Sequence, residues 1–244
     1  MKDKIVVITG GGKGLGKELA KTLASEKSYV VICSRNKADL ENVREEISKN
    51  GGKCDYQVVD VTDEAQVYNF VDAVAKKHGR MDVLINNAGY VNEWKPVDEN
   101  TEKEFDDNFK TNVYSIFYFL KKTVPVMKKQ NSGAIINISS MAGKRGLPNL
   151  AAYSASKFAV IGFTQSIAKE LKDNDVMCIA VCPGGMHTDM RAKVFGQEDA
   201  EKQQEPAFVA SVIKDVLLGK IEVPNGGDIV IRHGKISSIN SPPE

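Results

Sequence analysis

Short apolar runs rich in β-branched residues alternate with longer amphipathic segments along this chain. Such runs predict buried strands, here at 5–8, 29–33, 56–59, 83–85, 134–138, 176–181 and 228–232. Between them, apolar residues recur at helical spacing, as at Leu15, Leu19 and Leu23, which predicts helices. Further helices are predicted over 37–50, 63–77, 101–128, 151–171 and 207–218.

This alternation predicts an α/β fold, a doubly wound parallel sheet of about seven strands with helices on both faces. No linker or low-complexity segment divides the chain, so residues 1–244 are predicted to form one domain that includes the substrate site. The segment 237–244, which contains Pro242-Pro243, is predicted to be a flexible tail. Polar motifs that follow strands are expected to meet at the carboxyl edge of the sheet.

Charge and composition argue against several classes of protein. The net charge is +1, which gives no reason to expect a nucleic acid or an anionic membrane as partner. No apolar stretch reaches the roughly 18 residues that a membrane span needs, and the first strand starts too early to leave room for a signal peptide. The histidines and cysteines match no metal-ligand spacing. We therefore expect a cytoplasmic protein without a metal site.

A glycine-rich turn follows the first strand and opens the first helix. It reads Thr9-Gly10-Gly11-Gly12-Lys13-Gly14-Leu15-Gly16. Glycines let the backbone turn sharply and approach a pyrophosphate, and the helix N-terminus supplies oriented N–H groups. No Gly-Lys-Ser/Thr follows, so this is not a P-loop. The strand–turn–helix context predicts a dinucleotide site, with a ligand-free glycine turn as the alternative.

Tyr153 and Lys157 form the second informative pattern, with Ser140 thirteen residues before Tyr153. Residues i and i+4 share one helix face, so the phenol and the ammonium can reach the same pocket. A nearby cation lowers a tyrosine pKa from its ordinary value of about 10. The pattern therefore predicts a tyrosine that transfers a proton near neutral pH. The alternative is an amphipathic helix with a surface lysine.

The chain resembles the short-chain dehydrogenase/reductase family in seven motifs that occur in the family's order. They are Thr9 to Gly16, Asp60-Val61-Thr62, Asn86-Asn87-Ala88-Gly89, Asn112, Ser140, Tyr153 with Lys157, and Pro183-Gly184 with Thr188. The resemblance implies a Rossmann-type fold and an oxidoreductase that transfers a hydride between a nicotinamide cofactor and a small-molecule carbonyl or alcohol. It also implies a homodimer or homotetramer.

The resemblance assigns a role to each residue of a catalytic tetrad. Ser140 would hydrogen-bond to the carbonyl oxygen, with Ser139 as its rival, and Tyr153 would donate the proton. Lys157 would lower the pKa of Tyr153 and bind the nicotinamide ribose, and Asn112 would hold a water that relays protons to Lys157. The implied cofactor contacts are Gly10, Gly12, Lys13, Gly14, Leu15, Gly16, Arg35, Asp60, Val61, Asn87, Ala88, Gly89, Tyr153, Lys157, Pro183, Gly184, Met186 and Thr188. Asp60 could instead cap the helix that starts near residue 63.

Charge near the second strand favours NADP(H) over NAD(H). An acidic residue at the end of this strand would accept from the ribose hydroxyls and repel a 2′-phosphate. This chain has Ser34 and Arg35 there, and Lys13 adds a second cation. Arginine and phosphate form a strong charge-assisted pair. The alternative is that Arg35 is a solvated surface charge and the preference is weak.

The family's specificity loop corresponds to residues 186–205, which are polar and long enough to act as a lid. The candidates for an apolar pocket wall are Tyr90, Val91, Trp94, Leu147, Met190 and Phe195. Trp94 could equally be a packing residue of its loop. Gly226-Gly227 precedes the last strand, which inverts the order found in acyl-carrier-protein ketoreductases. This departure argues against a role in fatty-acid synthesis and against the usual tetramer. The family resemblance implies a dimer through the helices at 101–128 and 151–171.

Three functions remain open at this point. The first is an NADPH-dependent carbonyl reductase, of which a 3-oxoacyl reductase would be a special case. The second is a nucleotide-sugar epimerase or dehydratase, which the glycine spacing and the lack of a following substrate domain disfavour. The third is a dinucleotide-binding regulator without turnover, against which the complete set of Asn112, Ser140, Tyr153 and Lys157 argues.

Overall fold

Eight strands form one sheet in the computed structural model, which describes residues 1–243. The strands are β1 (Ile5–Thr9), β2 (Tyr29–Ser34), β3 (Lys53–Val58), β4 (Val83–Asn86), β5 (Gly133–Ile138), β6 (Val176–Pro183), β7 (Asp228–Arg232) and β8 (Lys235–Asn240). Their order in the sheet is β3-β2-β1-β4-β5-β6-β7-β8. All neighbours pair in parallel except β7 and β8, which are antiparallel.

Nine α-helices connect the strands in the described part of the chain. They are α1 (Gly14–Ser25), α2 (Lys37–Lys49), α3 (Glu64–His78), α4 (Glu102–Phe109), α5 (Ser115–Gln130), α6 (Ala151–Glu170), α7 (Asp189–Phe195), α8 (Gln197–Glu201) and α9 (Pro206–Leu217). A π-helical turn, Lys110–Tyr114, joins α4 to α5. Two short 3₁₀ turns lie at Val97–Glu99 and Met141–Gly143. None of the helices in residues 1–243 is long and apolar enough to cross a bilayer.

Two hydrophobic clusters cover the two faces of the sheet. Strand side chains alternate between the faces, so Val6 and Ile8 of β1 belong to one cluster and Ile5 and Val7 to the other. Helices α1, α2 and α9 pack on the first face, and α3, α5 and α6 on the second. This confirms the predicted doubly wound α/β fold with helices on both faces.

The C-terminal segment corrects two predictions. The sheet has eight strands rather than about seven, because residues 235–240 form β8 and pair with β7. The predicted flexible tail is therefore wrong for Ser237 to Asn240, while Glu244 lies outside the described residues. His233 and Gly234 form the connecting turn, both with positive φ (53° and 67°), as a tight type I′ hairpin requires. Because the residues of β8 are mostly polar and exposed, the pattern of apolar runs does not predict this strand.

Residues 186–205 also contain more regular structure than a loop, since α7 and α8 lie within them. The predicted helix over 101–128 is divided by the π-helical turn, which places Asn112 at the irregularity. Such turns are rare and often occur at functional sites.

The sheet order places the predicted motifs together. Strand order reverses between β1 and β4, and ligands of doubly wound sheets bind beyond the carboxyl ends of strands at such a switch point. The glycine turn follows β1, Asn87 follows β4 and Ser139 follows β5. The candidate site therefore lies across the carboxyl ends of the central strands.

Strand β8 is expected to stabilise the sheet by covering the edge of β7. Truncation after Gly234 would remove its backbone hydrogen bonds, each worth about 1 kcal/mol net, and expose the β7 edge. We expect the melting temperature to fall by about 5 °C or more, measured by thermal denaturation. Truncation after Asn240 is the control and should have little effect. Equal melting temperatures for the two truncations would contradict a structural role for β8.

Candidate functional site

The glycine turn brings backbone close to backbone at the start of α1. A Cβ on Gly16 would lie 2.1 Å from the carbonyl oxygen of Gly10, and Gly10 has a φ of +64°. Only glycine fits these two positions without strain. Lys13 occupies the N-cap of α1 but makes no side-chain cap bond, and the first turn carries no acidic residue. The first N–H groups of α1 therefore form an environment suited to an anion.

Hydrogen bonds fix this turn against the end of β4. Asn87 Nδ2 donates to the carbonyl oxygens of Thr9 (2.9 Å) and Gly10 (3.2 Å). Thr9 Oγ1 accepts from the backbone N–H groups of Asn87 and Ala88, both at 2.9 Å. Asn87 thus holds the glycine turn in place, in addition to lying at the cleft.

A cleft of about 810 Å³ opens over the glycine turn. It is large enough for a dinucleotide-sized ligand. The predicted cofactor contacts that line it are Gly10, Gly12, Lys13, Gly14, Leu15, Asn87, Ala88, Gly89, Tyr153, Lys157, Met186 and Thr188. The remaining ones, which do not line it, are Gly16, Arg35, Asp60, Val61, Pro183 and Gly184.

Tyr153 lies between this larger cleft and a second, smaller one of about 360 Å³, because its side chain lines both. Ser140 lines the smaller cleft and Lys157 the larger. Lys157 is buried, and its Nζ donates to the carbonyl oxygen of Ile138 at 2.9 Å and lies 5.8 Å from the centre of the Tyr153 ring. The three residues predicted to carry the chemistry therefore meet where the two clefts join.

Ser139 and Ser140 have different environments. Ser139 is buried, and its Oγ donates to the carbonyl oxygen of Lys157 at 2.8 Å. The Oγ of Ser140 accepts from the N–H of Ala142 at 3.1 Å, and Ser140 lies near enough to the Tyr153 phenol to act on its pKa. Of the two serines, Ser140 is the one that faces Tyr153 and the smaller cleft.

Burial disfavours the charged forms of both Tyr153 and Lys157. It raises the pKa of Tyr153 above its ordinary value, while the Ser140 hydrogen bond and the charge of Arg191 act to lower it. Burial also lowers the pKa of Lys157 from 10.5 to about 8. Lys157 is predicted to lower the pKa of Tyr153, but it is not among the groups that do so in this structure. The cation that acts to lower the Tyr153 pKa is Arg191.

Asn112 uses its side chain within the protein. Its Oδ1 accepts from the N–H of Tyr90 (2.8 Å), and its Nδ2 donates to the carbonyl oxygen of Tyr90 and to Ser156 Oγ, both at 2.9 Å. Ser156 Oγ in turn donates to the carbonyl oxygen of Tyr153 at 2.7 Å. Both amide hydrogens are thus engaged, and the side chain connects the strand-β4 loop to α6.

The smaller cleft is lined by both apolar and basic side chains. Of the residues expected to form an apolar wall, Val91, Trp94, Leu147, Met190 and Phe195 line it, whereas Tyr90 lines the larger cleft. Trp94 is 41% exposed and packs edge-on against Phe195 of α7, with ring centres 5.0 Å apart. Trp94 is expected either to line a pocket or to pack within its loop, and it does both.

Both a lysine and two aspartates lie near Gly12 in the larger cleft. Lys13 Nζ lies 3.7 Å from a carboxylate oxygen of Asp39 and 3.6 Å from one of Asp189. Asp39 and Asp189 both line the larger cleft, whereas Arg35 is exposed and does not. Sequence reasoning missed Asp39, because an acidic residue in the first turn of α2 also serves the helix dipole.

Asp60 does not cap α3. Asp63 does, with Oδ1 accepting from the N–H of Gln66 at 3.0 Å. Asp60 Oδ1 accepts from the N–H (2.9 Å) and hydroxyl (2.7 Å) of Thr62. Thr188 Oγ1 accepts from the N–H of Arg191 at 3.2 Å as the N-cap of α7, so its hydroxyl also has a structural role.

Sequence reasoning also missed three arginines of the smaller cleft, Arg145, Arg191 and Arg232. Arg191 falls in the segment expected to be a lid, but nothing in the spacing of Arg145 or Arg232 marks them. Arg232 reaches the cleft only because β7 lies beside β6 in the sheet.

Comparison with protein families gives a match over residues 4–199 to the model described as short chain dehydrogenase. Among curated proteins, a 3-oxoacyl-acyl-carrier-protein reductase of Thermotoga maritima is 36% identical over 208 residues, covering 85% of this chain and 82% of that protein. Levodione reductase of Leifsonia aquatica is 33% identical over 207 residues, covering 84% and 78%.

Solved structures show the same fold with either nicotinamide cofactor. A levodione reductase superposes with a TM-score of 0.91 at 29% identity, covering 96% of this chain and 98% of that one. A xylitol dehydrogenase with NAD+ bound gives 0.85 at 28% identity, covering 95% and 98%. An actinorhodin polyketide ketoreductase with NADPH gives 0.87 at 27% identity, covering 96% and 98%. The fold alone therefore leaves the choice of cofactor open.

The lowered pKa of Lys157 predicts a pH-dependent stability. In the unfolded chain the group stays protonated up to its ordinary pKa, so wild-type stability rises relative to a Lys157→Met variant as pH increases from 8 to 10.5. Below pH 8 the buried charge destabilises the fold. At about 1.4 kcal/mol per pKa unit, the relative gain is about 3 kcal/mol.

Urea unfolding of both proteins between pH 7.5 and 10.5, without added cofactor, measures this difference. Lys169→Met on the same helix is the control, because Lys169 is exposed, and its difference from wild type should stay constant. A constant difference for Lys157→Met would show that the Lys157 pKa is not lowered.

Proposed function

Because this chain belongs to the short-chain dehydrogenase family, we propose that it is an NADP(H)-dependent oxidoreductase acting on a small-molecule carbonyl or alcohol. The observation that carries this proposal is the position of Tyr153 on both clefts. A cofactor in the larger cleft and a substrate in the smaller one would meet at this phenol. The relatives named above act on an oxoacyl group, levodione or xylitol, which have a carbonyl or alcohol in common.

The residues present fit a dinucleotide. The glycine turn leaves room for a pyrophosphate at the N-terminus of α1, where no side chain caps the helix and the first turn contains no acidic residue. Asn87, Ala88 and Gly89 would line the ribose region, and Met186 and Thr188 the nicotinamide end. A bound reduced nicotinamide supplies the hydride.

The chain itself supplies the proton and the polar contacts to the carbonyl oxygen. Ser140 would donate a hydrogen bond to this oxygen as negative charge develops on it, and Tyr153 would donate its proton to the same atom. Lys157 would contact the ribose from the larger cleft. Asn112 acts as a positioning residue, because its contacts lead to Tyr90 and, through Ser156, to Tyr153.

The environment of Tyr153 favours reduction over oxidation near neutral pH. Carbonyl reduction needs a protonated phenol, and burial raises the Tyr153 pKa, which keeps the phenol neutral. Alcohol oxidation needs the phenolate as base, and this form becomes available only as pH rises. We therefore propose that Tyr153 acts as the proton donor in carbonyl reduction near neutral pH.

The proposed preference for NADP(H) rests on the side chains around the adenosine ribose. Ser34 ends β2 where an acid would repel a 2′-phosphate, and Lys13 lines the cleft. Lys13 and Asp189 are largely exposed and Asp39 is partly buried, and Lys13 Nζ lies more than 3.5 Å from both carboxylates, so these ion pairs are weak. A 2′-phosphate, with its larger charge, would compete with them for Lys13, and Arg35 would add to its binding.

We further propose a homodimer through the α4–α6 region. Four aromatic side chains on this surface are between 44% and 51% exposed, namely Phe105, Tyr114, Phe117 and Phe158. A cluster of exposed aromatics is typical of an interface. Light scattering in solution tests the assembly, since a monomeric mass would exclude it. A cytoplasmic location and a single domain stay predictions.

Tyr153→Phe is expected to remove turnover and keep cofactor binding. The substitution deletes only the hydroxyl that transfers the proton, so we expect kcat to fall about a hundredfold to ten-thousandfold, measured by NADPH absorbance with a panel of ketones and oxoesters. Tyr68→Phe, on α3 and lining neither cleft, is the matched control and should retain wild-type activity. Near-normal turnover by Tyr153→Phe would refute the assigned role. NADPH binding by wild type without turnover of any carbonyl would favour a regulatory protein.

Two variants test the cofactor preference in opposite directions. Lys13→Ala with Arg35→Ala should raise the NADPH KM by about tenfold to a hundredfold and the NADH KM much less, since a charged hydrogen bond contributes about 1.5–3 kcal/mol. Asp39→Asn should lower the NADPH KM, because it removes a negative charge near Lys13. If Asp39→Asn instead raised the NADH KM and left NADPH binding unchanged, Asp39 would be a ribose ligand and the preference would be for NAD(H).

A further inference from the structure

The smaller cleft carries an excess of positive charge that the proposed reaction does not use. Arg145, Arg191 and Arg232 line it together with His233, and no aspartate or glutamate within residues 1–243 does so. The three arginines come from distant parts of the chain: the loop after Ser140, helix α7 and the end of β7. Arginines are usually spread over a protein surface. Because three of them line one concave site beside Tyr153, this cleft is suited to an anionic ligand.

Only one of the three is neutralised within the described chain. Arg191 Nε donates to Asp199 Oδ1 at 2.5 Å, and its guanidinium lies 3.7 Å from the centre of the Phe195 ring. This arginine therefore belongs to the internal packing of the α7–α8 segment. Neither Arg145 nor Arg232 has such an ion pair among residues 1–243, which leaves two guanidinium groups for a ligand.

The backbone around Arg232 is shaped to admit its side chain. A Cβ on Gly184 would lie 2.9 Å from Arg232 Cγ, closer than real Cβ contacts, so the arginine stem passes directly over this glycine. Gly184 itself lines the smaller cleft and is held by a hydrogen bond from its N–H to the carbonyl oxygen of Ile231 at 2.8 Å. Arg232 is thus partly buried and held at the wall of the cleft rather than free in solvent.

The same cleft is also lined by apolar side chains, namely Val91, Trp94, Leu147, Met190 and Phe195. A ligand that suits both kinds of lining residue has an apolar body and an anionic group. Guanidinium groups bind carboxylates and phosphates through paired hydrogen bonds. A cleft of about 360 Å³ lies near the lower end of the range for small-molecule sites.

Resting on the proposed carbonyl chemistry, we infer that the substrate is a small carbonyl compound that carries an anionic group, a carboxylate or a phosphate ester. Its anion is bound by Arg145 and Arg232, and its carbonyl faces Ser140 and Tyr153. The two arginines therefore determine specificity by charge, while the apolar side chains accommodate the carbon chain.

The test compares charged and neutral versions of the same skeleton. A panel of oxo acids in which the spacing between carbonyl and carboxylate varies is assayed with NADPH and with NADH, each acid against its methyl ester. Phosphorylated ketones against the matching hydroxyketones form the second arm, which distinguishes carboxylate from phosphate. We expect kcat/KM for at least one anionic compound to exceed that of its neutral partner by about tenfold or more, as a charged hydrogen bond allows.

Variants then assign the effect to the two arginines. Arg145→Gln and Arg232→Gln should each lower kcat/KM for the preferred anion by about tenfold, mainly through KM, with a much smaller change for its neutral partner. Arg44→Gln removes the same charge from α2, where Arg44 stacks on Tyr56 and lines neither cleft, and should behave as wild type. The inference would be overturned if wild type had a higher kcat/KM for every neutral compound than for its anionic partner. It would also be overturned if the arginine variants lost kcat/KM equally for both members of a pair. Neither outcome would contradict the proposed carbonyl reductase activity.

Binding keeps the inference testable even where no compound is turned over. Trp94 is the only tryptophan and lines the smaller cleft, so its fluorescence reports on ligands there. Saturable quenching of Trp94 fluorescence by an oxo acid, weakened in Arg232→Gln and not in Arg44→Gln, would support the anion site. This result would hold even if no compound were turned over and the proposed reaction were contradicted. The absence of both turnover and quenching across the panel would overturn the inference.

Discussion

The hydrogen bonds between Thr9 and the Asn87-Ala88 segment are the constraint on which the site depends. They join the ends of β1 and β4, the two strands between which the order of the sheet reverses. The glycine turn can pass so close to its neighbours only because Gly10 and Gly16 have no side chains. The amide of Asn87 donates to the carbonyl oxygens of Thr9 and Gly10. Without this junction the N-terminus of α1 would not be fixed relative to the strand that leads to Tyr90.

The same chain of contacts continues to the proposed proton donor. From Ala88 the backbone runs through Gly89 to Tyr90, which Asn112 holds by two hydrogen bonds, and Asn112 reaches Tyr153 through Ser156. A regular helix would place residue 112 differently, so the π-helical turn at Lys110–Tyr114 is part of this arrangement. A Cβ on Gly89 would lie 3.5 Å from Asn112 Oδ1 and 3.7 Å from Lys157 Nζ, which shows how closely these groups are packed. The backbone of Tyr153 is therefore connected to the glycine turn through a short series of hydrogen bonds and peptide bonds.

Much of this architecture could be predicted from the sequence, because buried parallel strands and glycine turns leave strong local patterns. The central strands were found from their β-branched runs, and the alternation with helices gave the doubly wound topology. Strand β8 escaped detection because it is polar, exposed and joined by His233-Gly234, a turn without the usual asparagine or aspartate. The positions of Asp39 and Arg232 in the clefts could not be predicted, because they depend on which elements lie beside α2 and β7. No spacing of nearby residues in the sequence indicates those neighbours. The pKa of Tyr153 was misjudged for a similar reason, since proximity to Lys157 in sequence says nothing about burial.

Burial and charge together set the state of the phenol. Tyr153 is kept neutral by its surroundings, and Lys157, whose pKa falls to about 8, loses its charge at a lower pH than an exposed lysine does. Arg191 acts in the opposite direction, because a nearby cation favours phenolate. An anion held by Arg145 and Arg232 would offset part of this positive potential and so keep the proton on Tyr153 until the carbonyl oxygen takes it. The arginines of the smaller cleft would then serve the reaction twice, by selecting the substrate and by preserving the protonated form of the group that completes its reduction.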